Sequence, residues 1–275
     1  MIETRSGVAR IAAAFSGARA AGRGALIPYL CAGDPDLDTT AEMLVVLGKA
    51  GADIVEVGIP YGDPLADGPT NAAAAQRALA GGTTIDGALG ALARAERTGA
   101  PPALAFTYVN PVVAYGLERF ADALIAAGAC GAIVPDLPLE ETGTLRALFR
   151  ARGLVLPLLV APTTPLARAE AIARASEGFT YLVSRLGVTG AKREPDFSWI
   201  AERVTRLRAA SSLPLAIGFG ISTPEHVRRA WAVADGAIVG SALIDAYANA
   251  GSGTEAVERA RRYVMKLAAG APRAS

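Results

Sequence analysis

The stretch LAIGFGISTPEHVRRAWAVADGAIV, residues 215–239, holds one complete unit of the fold. Leu215-Gly218 and Gly236-Val239 are apolar runs of strand length, and Pro224-Ala232 between them repeats its apolar residues at three- and four-residue spacings. A strand, a helix and a second strand in this order predict a parallel pair joined by a crossover. The alternation recurs along the rest of the chain. Further runs stand at Ala25-Cys31, Asp53-Val57, Ala103-Tyr108, Gly131-Pro135, Val155-Val160 and Thr180-Ser184, which makes eight. Helical spacing returns in Thr39-Ala50, Leu117-Ala127, Thr144-Ala151, Leu166-Ala175 and Ser198-Ala210.

Near-continuous apolar strands are buried on both faces, so eight such units in 275 residues predict an α/β fold, a closed (β/α)8 TIM barrel. The competing doubly wound sheet would carry G-x-G-x-x-G after its first strand, and none is present. Arg5-Ala20 predicts an extra N-terminal helix across the bottom of the barrel. No linker or composition shift interrupts the chain, so residues 1-275 are expected to form a single barrel domain.

Lys and Arg number 27 against 26 Asp and Glu, without a block of like charge. That balance offers no electrostatic footprint for nucleic acid or an acidic membrane. Arg259, Arg261, Arg262 and Lys266 read as the solvated face of a last helix. Cys31 and Cys130 lie far apart with no metal-ligand spacing, and a core of this size needs no disulfide; a reduced, cytoplasmic setting is expected. Neither a secretory leader nor a membrane-spanning run is expected.

In a barrel the chemistry gathers where strands end, which selects Tyr29, Glu56, Tyr108, Asp136, Tyr181 and Ser184 together with the glycine-rich stretches near 187, 218 and 240. Tyr29 and Tyr108 are expected to bind substrate. Glu56, flanked by Val55 and Val57, is a carboxylate inside a buried strand. Desolvation there tunes it as a general acid/base, unless an Arg or backbone N–H groups satisfy it. The loop Pro60-Tyr61-Gly62-Asp63-Pro64-Leu65-Ala66-Asp67-Gly68-Pro69 follows directly. Its prolines stiffen it enough to aim a carboxylate at the barrel mouth, although Asp63 and Asp67 would serve equally as turn or cap residues. Gly187-Val188-Thr189-Gly190, Gly218-Phe219-Gly220 and Gly240-Ser241 let the backbone approach a phosphate closely. The one histidine, His226, falls in the first turn of a helix, and no lysine ends a strand. A histidine triad, a histidine-held metal and a Schiff-base aldolase are therefore disfavoured.

These motifs, with Pro28 through Gly33-Asp34-Pro35, Tyr108-Val109-Asn110-Pro111, Pro135-Asp136-Leu137-Pro138 and Ser184-Arg185-Leu186-Gly187, resemble the tryptophan synthase alpha chain family over nearly the whole sequence. The resemblance implies a lyase that cleaves indole-3-glycerol phosphate to indole and glyceraldehyde 3-phosphate. It makes Glu56 the acid/base and Asp67 the anion that holds the indole N–H, with Tyr181 beside Glu56. Gly190, Gly220, Gly240 and Ser241 would bind the phosphate. It implies no cofactor and no metal in this chain. The implied partner is a beta chain carrying pyridoxal phosphate, in an alpha2beta2 complex docked through Pro60, Asp63, Asn110, Pro138 and Glu140. Gly62, Asn71 and Ala72 depart from the family's usual Ser and Ile-Gln. They leave room for a stand-alone lyase that releases free indole. A degenerate barrel acting as a regulatory partner is disfavoured by the presence of both acids.

Overall fold

The computed structural model describes residues 6–184 and 197–270. The eight apolar runs form β1 (Ala25–Cys31), β2 (Val55–Gly58), β3 (Ala103–Phe106), β4 (Gly131–Ile133), β5 (Leu158–Val160), β6 (Thr180–Val183), β7 (Leu215–Gly218) and β8 (Gly236–Val239). Every ladder is parallel, and neighbours follow the order β4-β3-β2-β1-β8-β7-β6-β5. The open ends meet where Gly131 pairs with Val155. There the Val155 N–H donates to Cys130 O at 2.9 Å and the Ala132 N–H to Val155 O at 3.1 Å, so the sheet closes on itself.

Among the described residues the helices are α1 (Gly7–Ala20), α2 (Leu37–Lys49), α3 (Pro69–Ala80), α4 (Ile85–Arg97), α5 (Val109–Tyr115), α6 (Leu117–Ala126), α7 (Gly143–Ala151), α8 (Leu166–Ala175), α9 (Phe197–Ala210), α10 (Pro224–Val233), α11 (Ser241–Tyr247) and α12 (Gly253–Ala268). Side chains cap several of them. Asp36 accepts the Thr39 N–H at 2.7 Å, Thr84 the Gly87 N–H at 3.1 Å, and Thr223 the His226 N–H at 3.1 Å. Each cap satisfies a donor that the first turn leaves unpaired, worth about 1 kcal/mol. None of these helices is long and apolar enough to cross a membrane.

β2, β3, β4, β5 and β6 are shorter than their apolar runs, and for β5 and β3 the local reason is plain. Pro157 has no N–H to give a ladder, so the run from Val155 makes one bridge, breaks, and resumes at Leu158, whose N–H goes instead to Ser176 Oγ at 2.9 Å. β3 stops at Phe106 because the chain turns into α5 at Val109, with Tyr108 as its N-cap.

The expected N-terminal helix does close the bottom. Ile11, Phe15 and Ala18 are buried, and Phe15 meets Phe179 at 5.6 Å between ring centres. Arg10 reaches Gly128 O and Glu96, both at 2.7 Å, tying α1 to the start of β4 and to α4. On α12 the three arginines are answered within the helix: Glu255 pairs with Arg259, and Glu258 with Arg261 and Arg262.

Gly131 sits at the closure, where an added Cβ would stand 1.9 Å from Val155 O. Backbone cannot swing aside as a side-chain tip does. Gly131→Ala is therefore expected to cost about 3 kcal/mol, the upper end of overpacking penalties. Differential scanning calorimetry would register it as a drop in Tm of roughly 5–10 °C.

Candidate active site

β2 lies between β1 and β3 with Glu56 in register with Tyr29 on one side and Leu104 on the other. Every residue of the strand is buried, which is the ordinary condition of a central barrel strand and leaves Glu56 1% exposed. Among the described residues its Oε1 has no hydrogen-bond partner and no cation pairs with it. The Arg-satisfied alternative is thus absent from these residues, and burial alone pushes the carboxyl up to about 8.

Asp67 reaches the same cavity from the loop that follows β2. The Tyr108 hydroxyl donates to its Oδ2 at 2.9 Å and the Asn71 amide to its Oδ1 at 3.1 Å. The Ala66 N–H donates in turn to the Tyr108 hydroxyl at 3.2 Å, which fixes the phenol against the loop. Burial raises the Asp67 carboxyl above its ordinary value, and the two donated bonds pull the other way by favouring the charged form. The second aspartate of the loop, Asp63, is exposed.

Tyr29 on β1 and Tyr181 on β6 project into the mouth past glycines on the next strands. A Cβ on Gly58 would stand 2.2 Å from the Tyr29 hydroxyl, and one on Gly218 2.2 Å from the Tyr181 hydroxyl. Burial raises both phenols well above their ordinary range, with the charges of Asp67, and for Tyr181 also Glu56, adding to it. Past Gly218 the chain turns through Phe219 at φ 67°, a left-handed conformation uncommon for an aromatic residue. The turn sets the Phe219 ring edge-on to Tyr181, 6.0 Å between centres, and its carbonyl accepts the Ser184 hydroxyl.

One cavity joins these groups. Glu56, Asp67 and Tyr181 line it together with Tyr29, Gly220, Gly240 and Ser241. Of the residues expected at the site, Tyr108 stands behind Asp67 rather than in the lining, and Gly190 lies outside the described residues. Asn71, Phe106, Phe219, Ile221 and Ile238 complete the wall. The sequence hides Phe106 as a strand end because the apolar run continues to Tyr108, whereas Phe219 stands openly between the glycines of Gly218-Phe219-Gly220. The Gly220, Gly240 and Ser241 end is backbone-rich, and nothing lies within 4 Å of where a Gly240 Cβ would be. Space of that kind admits an anion against main-chain N–H groups. Phe106, Ile238 and the tyrosines in the same lining suit a flat aromatic ring.

Of the three departures from the family pattern, Gly62 is exposed with no atom within 4 Å of where its Cβ would stand, and Ala72 is outside the cavity lining. Asn71 alone touches an acid. Outside the cavity, Asn110 and Pro138 border the loops after β3 and β4, Glu140 is exposed and pairs with Arg168, and Pro60 is half-buried. The Asn110 amide donates to the Tyr61 hydroxyl at 3.2 Å, linking the loops after β2 and β3, and these two segments also expose Leu65 (70%) and Val113 (60%).

Comparison with known proteins agrees with this barrel. The family description "Tryptophan synthase alpha chain" matches residues 15–271. A Prochlorococcus marinus (strain MIT 9313) tryptophan synthase alpha chain is 52% identical over 252 residues, 91% of each chain. One from Arabidopsis thaliana is 46% identical over 246 residues, 89% of each. Among solved structures, Mycobacterium tuberculosis tryptophan synthase superposes with a TM-score of 0.87 at 39% identity, covering 97% of this chain and 99% of the other. The alpha subunit from Legionella pneumophila str. Paris gives 0.84 at 32%, covering 95% and 97%. Identity at this level across nearly the full barrel, in sequence and in backbone alike, means that the chain belongs to the tryptophan synthase alpha chain family.

Proposed function

We propose that Glu56 and Asp67 carry out a retro-aldol cleavage in this chain, a carbon–carbon lyase of tryptophan biosynthesis acting on indole-3-glycerol phosphate. The observation that carries the assignment is the contrast between the two acids on one cavity. Glu56 is buried, without a hydrogen-bond partner among the described residues, and pushed up to about 8 by burial alone, whereas Asp67, also raised by burial, accepts two hydrogen bonds that pull it back toward the charged form. Two carboxyls whose surroundings differ in this way, one bare and one hydrogen-bonded, divide acid and anion roles between them.

Indole leaves carbon only after C3 is protonated. Glu56 gives that proton, and Asp67 accepts the ring N–H and stabilises the positive charge that develops on the ring. The resulting Glu56 carboxylate takes the proton of the glycerol hydroxyl adjacent to the ring. Electrons from that O–H bond form the aldehyde, the carbon–carbon bond breaks, its pair restores the indole, and Glu56 ends protonated as it began. Tyr181 packs beside the acid and Tyr29 beside the ring, while Tyr108 acts through Asp67. Gly220, Gly240, Ser241 and Gly190 hold the phosphate through the backbone.

The chain works with a beta subunit, in an alpha2beta2 assembly in which pyridoxal phosphate resides in the beta partner, and it does so in the cytoplasm as a single barrel domain. The exposed Leu65 and Val113, beside Asp63 and Asn110, suit such a docking face. Indole release from indole-3-glycerol phosphate, measured with and without the cognate beta chain, tests both the reaction and the partnership. A low basal rate strongly stimulated by the beta chain is expected. Full activity alone, unchanged by it, would mark a free-standing lyase, and tight binding without turnover under either condition would sink the catalytic assignment.

A further inference from the structure

We infer that Asn71 is a positioning residue for Asp67, holding that carboxylate charged and oriented toward the substrate ring. The inference rests on the assignment of Asp67 to the ring N–H.

Asn71 is the third residue of α3, whose N-cap is Gly68 and which has no side-chain cap. A polar side chain in a first turn ordinarily points to solvent or bonds the free backbone N–H groups. Asn71 does neither. It is 4% exposed, lines the cavity, and its Nδ2 turns back one helical turn to Asp67 Oδ1 at 3.1 Å. Because a carboxylate accepts and cannot donate, this bond fixes the amide orientation and leaves Oδ1 facing away from Asp67. That Oδ1 is buried and has no partner among the described residues.

An unpartnered buried carbonyl is a cost to the fold, which a leucine of nearly the same shape would avoid. Packing therefore does not account for an asparagine here. Its one bond with a chemical consequence is the one to Asp67. With Tyr108 on Oδ2 and Asn71 on Oδ1, both oxygens of Asp67 are held, and the carboxylate has one orientation in which its remaining lone pairs meet the cavity. The two donated bonds also favour the charged form against the burial that raises this carboxyl.

The groups that face Asp67 from neighbouring elements are Tyr29 and Cys31 on β1, Glu56 on β2, Tyr108 after β3 and Tyr181 on β6. Burial pushes the three tyrosines and the thiol upward, so they stay neutral at and below neutral pH, and Glu56 is protonated there as well. The acid side of the reaction's pH profile is then left to Asp67.

Asn71→Leu tests this. Losing a bond to a charged acceptor is expected to raise the Asp67 midpoint by about one pH unit, read by carboxyl 13C NMR of aspartate-labelled protein with Asp67 assigned from Asp67→Asn. The acid limb of kcat/KM for indole-3-glycerol phosphate cleavage, measured with the beta chain present, is expected to move up by the same amount, with Tm unchanged or higher. An Asp67 midpoint that stays in place overturns the inference and leaves the role of Asp67 untouched. A midpoint that moves while the acid limb does not would instead overturn the assignment of Asp67 to the ring, and with it this inference. A marked fall in Tm would show Asn71 to be a fold residue and overturn the inference directly.

Discussion

Glu56→Gln is expected to lower kcat/KM by a factor of about 10² to 10⁴, the usual worth of a positioned acid/base, with the barrel intact. Glutamine keeps the shape and the buried polar atoms but can neither give nor take the proton. The pH dependence distinguishes this from a packing defect. The folded carboxyl sits at about 8, against 4.5 for the free side chain. A reaction that begins with protonated Glu56 should hold its rate below about pH 8 and lose it above.

Stability carries the same signature with a definite sign. The folded value lies above the unfolded one, so between pH 4.5 and about 8 the folded state binds more protons than the unfolded chain. The Glu56 contribution is therefore fully present below 4.5 and lost as pH rises through about 8. Calorimetry of wild type and Glu56→Gln across that range should show the wild-type Tm declining relative to the variant. Parallel Tm curves would mean that Glu56 titrates near its free value, and the general-acid assignment would fail with it.

The second large effect is expected from Asp67→Asn, again about 10² or more in kcat/KM. The loss should fall mainly on kcat, because the positive charge on the ring exists only as C3 becomes protonated. Asparagine still accepts through one oxygen but carries no charge, and its amide would face the Asn71 amide and the Tyr108 hydroxyl, both of which donate to the carboxylate. Single-turnover kinetics would separate the outcomes: unchanged chemistry with weakened binding would remove the electrostatic role.

Much of this is legible in the sequence because it depends on side-chain type at a repeating position. The bounds of β1, β7, β8 and α8 follow from their apolar runs, and a carboxylate between Val55 and Val57 is out of place in any buried strand. Spacing does not predict α3. The buried face of α3 is Ala74, Ala75 and Ala78 beside Asn71, and alanine also fills its other faces, so the pattern has little contrast. The break in β5 follows from Pro157, whose missing N–H matters only once its neighbour strand is known. The Asn71 bond depends on where α3 begins, and the aim of the Phe219 ring depends on a left-handed φ that residue type does not assign to phenylalanine.

Gly58 and Gly218 bear on how this barrel tolerates change. Neither contributes an atom to the proposed chemistry, yet each is the wall against which a cavity tyrosine rests, and the space between wall and hydroxyl is smaller than a methyl group. A saturation scan of the chain would thus find two positions, on β2 and β7, where even alanine must displace a cavity tyrosine. The width of the pocket is set by two hydrogen atoms, and mutation can adjust it only by moving a tyrosine.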